Sequence, residues 1–257
     1  MKIEDIGIVT NGFNQYTSQE LAKLFLKNNF KKIQVFFNTS DFPVWTYNGR
    51  PDEEDFSIEQ GCEVINNYQN AGLNVLSLGV YTNLLEPDED ERRKNIEHYA
   101  EMMKIANQTG VSALATECGF IPGRRGLIRE TFEEDWARLV DSFKKLANYA
   151  EKYDVLVVLE PCFHDLVNIA KRARDFISQV GSNNVKIQID PGNLVTVNTE
   201  EEMFNNLAAI TASVHGKDRK LNCAEQILHG ANEAYDLGLG QECLLLSAGF
   251  GGGMGVE

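Results

Sequence analysis

A chain of 257 residues, 43% of them hydrophobic, is long enough for one large α/β domain, and it contains no apolar run near the ~18 residues needed to cross a bilayer. Its formal net charge of −14 would repel a nucleic-acid backbone over most of the surface, which argues against nucleic acid as a partner. Met1-Lys-Ile-Glu-Asp5 lacks the basic-then-apolar pattern of a signal peptide, and Cys62, Cys118, Cys162, Cys223 and Cys243 are scattered without a CxxC pair; a cytoplasmic protein with reduced thiols is expected.

The first predicted strand is Ile6-Gly-Ile-Val-Thr10, followed by a helix from Ser18 with Leu21, Leu24 and Phe25 inward. Ile33-Gln-Val-Phe-Phe37 is the second strand. A polar, aromatic loop of about nineteen residues, 38–56, then holds Trp45, Tyr47 and Arg50, and its length fits a substrate-covering lid as well as irregular packing. Ser57 caps a helix that closes at Ala71-Gly72, and Leu73-Asn-Val-Leu-Ser-Leu78 is the third strand. After a loop with Tyr81 and Asn83, a helix runs from Asp88 to Thr109, and Gly110 precedes Val111-Ser-Ala-Leu-Ala-Thr-Glu117, a strand ending in a carboxylate. A loop with Arg124 and Arg125 leads to a long helix from the cap Thr131 through Tyr153.

Val155-Leu-Val-Val-Leu-Glu160 and Val185-Lys-Ile-Gln-Ile-Asp190 are near-continuous apolar runs, as in parallel strands buried on both faces, and each stops on an acid followed by proline. Between them Asp165 is expected to cap a helix that Gly181 ends. Thr199 opens a short helix ending near Ala209, and Thr211-Ala-Ser-Val-His215 is strand seven. Residues 224–239 hold helical stretches, and Gly249-Phe-Gly-Gly-Gly-Met-Gly-Val-Glu257 is a Gly-rich eighth strand with no closing helix after it. Seven strand–helix repeats with room for one more predict a single domain over 1–257, a (β/α)8 barrel of the TIM type with the closing helix missing; an open doubly wound sheet is the alternative.

In such a barrel the carboxyl ends of all strands meet at one rim, where loops carry ligands. Glu160, Asp190, His215 and Glu257 all end strands, so they are candidates for one divalent ion. Three carboxylates and an imidazole suit Mn²⁺, with Mg²⁺, Co²⁺ or Zn²⁺ also allowed. Taken singly, each has a plainer role as a cap, ion-pair partner or rim histidine.

The segments Leu-Gly-Val-Tyr81-Thr-Asn83-Leu-Leu-Glu-Pro87-Asp88, Ala-Thr-Glu117-Cys-Gly119, Leu-Glu160-Pro, Ile-Asp190-Pro-Gly-Asn193-Leu and Val-His215-Gly-Lys217-Asp218 resemble the sugar isomerase/epimerase family with a xylose-isomerase-like barrel, which includes the ketose 3-epimerases and, more distantly, endonuclease IV. The resemblance implies that Glu160, Asp190, His215 and a strand-eight Glu257 bind one metal, with Glu160 and Glu257 as acid/base pair. Trp45, Tyr81, Asn83, Glu117, Arg124, Asn193 and Lys217 are the candidates for binding a small sugar or polyol. Leu166, Asn193 and Leu221 stand where ketose 3-epimerases carry Glu, His and Arg, so this chain's substrate contacts differ from theirs.

Metal chelation of a carbonyl and its neighbouring hydroxyl favours an enediolate when an adjacent C–H loses its proton, and carboxylates at the ion are placed to take that proton. Bases on both faces give epimerisation; one base gives aldose–ketose isomerisation, or dehydration of a keto-polyol by a lyase. Lys217 also admits a Schiff-base aldolase, and the irregular end admits a degraded metal-binding barrel. Endonuclease-like chemistry is the least expected, because it needs a multi-metal cluster with several histidines and the chain holds only His98, His164, His215 and His229. No membrane contact is expected, and a homo-oligomer is allowed.

Overall fold

A computed structural model describes residues 6–124, 127–221 and 241–244. Seven short strands form one parallel sheet: β1 (Gly7–Val9), β2 (Lys32–Val35), β5 (Asn74–Gly79), β6 (Ala113–Thr116), β7 (Leu156–Leu159), β8 (Val185–Ile189) and β9 (Thr211–Val214), in the order β1-β2-β5-β6-β7-β8-β9. Sequence order and sheet order agree because each parallel crossover returns the chain through a helix to the next position. The helices are α1 (Ser18–Lys27), α2 (Ile58–Ala71), α3 (Glu89–Thr109), α4 (Phe132–Tyr153), α5 (Ala170–Val180), α6 (Pro191–Leu194) and α7 (Glu200–Leu207).

The sheet curls. β2 and β9 lie far apart in the strand order, yet His215 Nε2, just past β9, is 3.0 Å from Gln34 Oε1 on β2. The seven strands thus wrap a common interior, as the barrel reading requires. The expected eighth strand, with Glu257, and the helical stretches expected at 224–239 lie outside the described residues.

Local chemistry sets the helix ends. Thr17 and Glu20 form a reciprocal capping box on α1, Thr199 and Glu202 another on α7, and Ser57 and Asp88 cap α2 and α3; such a cap contributes about 1 kcal/mol. Gly72 (φ 102°) and Gly110 (φ 72°) end α2 and α3 in the left-handed region, where a Cβ would be strained. The apolar stripes of α1 to α5, with Leu21, Phe25, Ile65, Tyr68, Tyr99, Met103, Phe143 and Phe176 among the fully covered side chains, pack on the outer face of the sheet.

Two expectations are corrected, and one pairing is added. Asp165 caps nothing: α5 starts at Ala170 after Ile169, so residues 161–169 are loop, and Asp165 lies buried inside it. The 38–56 segment is not plain loop, because β3 (Asn38–Thr39) pairs with β4 (Phe42–Pro43) and Glu53–Asp55 makes a 3-10 turn. Beyond β9, β10 (Asp218–Leu221) and β11 (Gln241–Leu244) pair antiparallel in a separate ribbon; the polar Asp218-Arg-Lys sequence gave no strand signal.

Candidate metal centre and its aromatic cover

Glu160, Asp190 and His215 are the first residues after β7, β8 and β9, so the parallel sheet delivers them side by side. One ligand atom of each lies within 4.8 Å of the others, and all three side chains are buried. His215 Nδ1 is 3.5 Å from Glu160 Oε1. Asp190 also caps α6, accepting from the Asn193 amide nitrogen at 3.1 Å, which fixes its carboxylate.

Glu160 is surrounded by donors. Tyr81 Oη and Gln188 Nε2 donate to its Oε2 at 2.9 and 2.8 Å, and Asn193 Nδ2 donates to Oε1 at 2.7 Å. Burial alone would raise its pKa; the adjacent His215 and Lys217 charges outweigh that and hold Glu160 well below the usual carboxylate range. His215 moves the opposite way: burial disfavours its proton, but the Glu160 carboxylate wins and the pKa rises. Asp190 is pushed up to about 6 by burial and by repulsion from Glu160, although Lys217 Nζ lies 3.4 Å from its Oδ2.

Two glutamines complete the centre, and the sequence reading passed over both. Gln34 and Gln188 are fully buried in otherwise apolar strands, each at a shift of strand register, where a bulge re-aims a side chain. Gln34 Oε1 accepts from His215 Nε2, and Gln188 Nε2 reaches Glu160 at 2.8 Å and His215 Nδ1 at 3.3 Å while its Oε1 accepts from Ser213 Oγ at 2.9 Å. An amide inside a strand buried on both faces is costly unless bonded, which is the signal that would have flagged them.

These residues fit a divalent cation. With the Nε2 proton of His215 held by Gln34, the Nδ1 lone pair lies on the side of Glu160 and would be the atom offered to a cation, beside the Asp190 carboxylate. Two carboxylates and one imidazole form an oxygen-rich set with room for a borderline or hard ion. Glu257 lies outside the described residues.

Above the centre sits an aromatic group. Tyr81 stacks on Phe36 (centroids 5.4 Å, 17°), Trp45 meets Phe36 edge-on at 5.4 Å, and Tyr47 lies 6.3 Å from both Trp45 and Tyr81. Tyr47 Oη donates to Glu117 Oε2 at 2.6 Å, joining the 38–56 segment to the end of β6. Burial and repulsion from Glu160 push Glu117 up to about 7. Arg50 pins the far side of that segment to α3 through Glu91 at 2.7 Å and Asn95 at 2.8 Å.

Of the other sequence candidates, Asn193 and Lys217 join the centre: Lys217 Nζ donates to Asn193 Oδ1 at 2.7 Å, and Asn193 passes the contact to Glu160. Asn83 does not reach it. Its Oδ1 accepts from the Phe120 and Leu85 amides and its Nδ2 donates to Glu86, so it brackets two loops. Arg124 pairs with Asp135 at 2.7 Å and with Thr131, whose hydroxyl bonds Asp135 instead of capping α4. Arg125 lies outside the described residues.

A family model described as a xylose isomerase-like TIM barrel matches residues 22–244. The D-psicose 3-epimerase of Ruminiclostridium cellulolyticum is 27% identical over 151 residues, covering 56% of this chain and half the length of that relative. Among solved structures, the "probable 3-DHS dehydratase AsbF" of Bacillus anthracis superposes with a TM-score of 0.67 at 14% identity, covering 87% of this chain and 76% of its own. The IolI protein, solved with a bound zinc atom, gives 0.63 at 18% identity, covering 84% and 73%. At these identities the structural likenesses bear on the fold alone.

Proposed function

The chain belongs to the xylose isomerase-like TIM-barrel family, and from that premise we propose that it is a divalent-metal-dependent isomerase or epimerase of a small keto-sugar or sugar phosphate. The observation that carries this reading is the meeting of Glu160, Asp190 and His215 within 4.8 Å at the ends of three adjacent strands, under the aromatic cover. The curated relative named as a sugar epimerase and the zinc-bound neighbour support it.

Glu160, Asp190 and His215 would hold the ion, with Mn²⁺ suited to the oxygen-rich donor set, and the sequence reading adds Glu257 as a fourth ligand. When bound, it supplies Lewis-acid polarisation of the substrate carbonyl. The protein's own groups do the rest. Glu160, kept ionised and fixed by Tyr81, Gln188 and Asn193, is the carboxylate assigned to take a proton from the carbon beside the carbonyl. Lys217 and Asn193 orient a substrate hydroxyl. Trp45 and Tyr47 cover the apolar face of the sugar and exclude water. A second base on the opposite face, the role the sequence reading gives to Glu257, would make the outcome epimerisation; with one base, the proton would return to the neighbouring carbon or hydroxide would leave.

The test is a panel of ketoses in D₂O with chelator-treated protein and with Mn²⁺ restored, followed by NMR. Deuterium at an inverted or newly formed carbinol carbon, dependent on Mn²⁺, is the expected result. Equal turnover with chelator present, or none with any ketose, rejects the reading.

A further inference from the structure

Beside the main centre, the stretch Cys162-Phe163-His164-Asp165 is left unused by the reaction proposed above. Because α5 starts only at Ala170, these residues stay in the loop after β7, and Cys162, His164 and Asp165 are buried there at 2, 5 and 6% exposure.

One ligand atom each of Glu117, His164 and Asp165 lies within 4.8 Å of the others. His164 is held from behind: its Nδ1 is 3.2 Å from Cys162 Sγ, a thiol–imidazole bond that turns Nε2 toward Asp165 Oδ1, 3.6 Å away. An imidazole with one nitrogen fixed by a hydrogen bond and the other facing a carboxylate, with a second carboxylate in the same 4.8 Å group, is the arrangement of a metal ligand. Tyr47 orients the third member through its bond to Glu117 Oε2. A small cleft, lined in part by Tyr47, Phe120, Arg124, His164 and Asp165, opens beside the group.

We propose that Glu117, His164 and Asp165 form a second cation site, separate from Glu160, Asp190 and His215, that takes a borderline divalent ion of the Zn²⁺ class. Two carboxylates and a neutral imidazole carry formal charge −2, which a divalent ion neutralises. A mixed N/O set with only one histidine suits Zn²⁺ or Co²⁺. The inference stands on this geometry and does not require the sugar reaction.

The experiment is Zn²⁺ stoichiometry by native mass spectrometry on the whole chain after chelation and back-titration. Two ions per chain are expected, falling to one in Asp165→Asn and to one in Asp190→Asn. One ion in the parent, lost in Asp190→Asn, overturns the second site and leaves the main centre; one ion lost in Asp165→Asn overturns the main centre and keeps the second. Should Asp165→Asn fail to fold by circular dichroism, the Asp190→Asn protein decides alone. An ion retained there, and lost on adding His164→Gln, upholds the second site, whereas no retained ion, or one indifferent to His164→Gln, overturns it.

Discussion

The Tyr81 hydroxyl donates to Glu160 Oε2 at 2.9 Å while the Tyr81 ring stacks on Phe36, so one side chain ties the aromatic cover to the buried carboxylate. A bond to a charged group contributes about 1.5–3 kcal/mol, and Gln188 and Asn193 still hold Glu160 if it is lost. Tyr81→Phe keeps the stack and removes the bond. The metal-free variant is therefore expected to lose about 1.5 kcal/mol in urea melts, near the low end of that range. An unchanged midpoint would mean that the hydroxyl does not stabilise Glu160.

Asp190 sits at the centre with Lys217 as its counter-ion and a role in capping α6. Asp190→Asn keeps a side-chain oxygen for the cap and removes the charge that a cation needs. It should remain folded yet bind Mn²⁺ at least about tenfold more weakly, in line with an interaction of 1.4 kcal/mol or more. Isothermal titration with Mn²⁺ measures this, and parent-like affinity would remove Asp190 from the ligand set.

The cover is fastened at two points, Tyr47 to Glu117 and Arg50 to α3. Trp45→Ala is expected to raise KM more than it lowers kcat, because the ring supplies binding that is uniform along the reaction. Tyr47→Phe frees Glu117 from the bond and should raise KM less, by about two- to twelvefold, as befits a net hydrogen-bond contribution of about 0.5–1.5 kcal/mol. Steady-state kinetics on the ketose found active would show it, and equal parameters in all three proteins would make the segment purely structural.

The strands and most helices were legible because parallel strands buried on both faces leave continuous apolar runs, and Ser57, Asp88, Gly72 and Gly110 mark helix ends. The strand-end acids and His215 followed from the same pattern, since the position after a parallel strand fixes which rim a side chain joins. Gln34 and Gln188 were missed because single polar residues in apolar strands look like noise until their register shifts are seen. Asp165 misled because an acid ahead of an apolar helical stripe reads as a cap, whereas α5 starts only at Ala170 and Asp165 is buried in the loop before it. The roles of Asn83, which bonds across two loops, and of Arg124, which pairs with Asp135 on α4, depend on bonds between segments that no local pattern encodes.

His98 provides a pH-sensitive element away from the site. It lies on α3, its side chain 12% exposed, with its ring 4.8 Å from Phe56. Burial, aided by the Arg50 charge, lowers its pKa to about 4, from an ordinary value of 6.5. Glu101 stands 3.9 Å away but is largely solvated and does not offset the burial. Between pH 6.5 and 4 the unfolded chain therefore holds the proton that the folded protein refuses, so stability present above pH 6.5 is lost as the pH falls toward 4. At pH 5 the loss from this group is about 2 kcal/mol, and it levels off below pH 4. His98→Gln removes the titration. The expected result is that the difference in unfolding free energy between pH 7 and pH 5 is smaller by about 2 kcal/mol in the variant than in the parent, measured by urea melts at fixed ionic strength. Identical pH dependence in the two proteins would show that His98 takes up its proton as readily folded as unfolded.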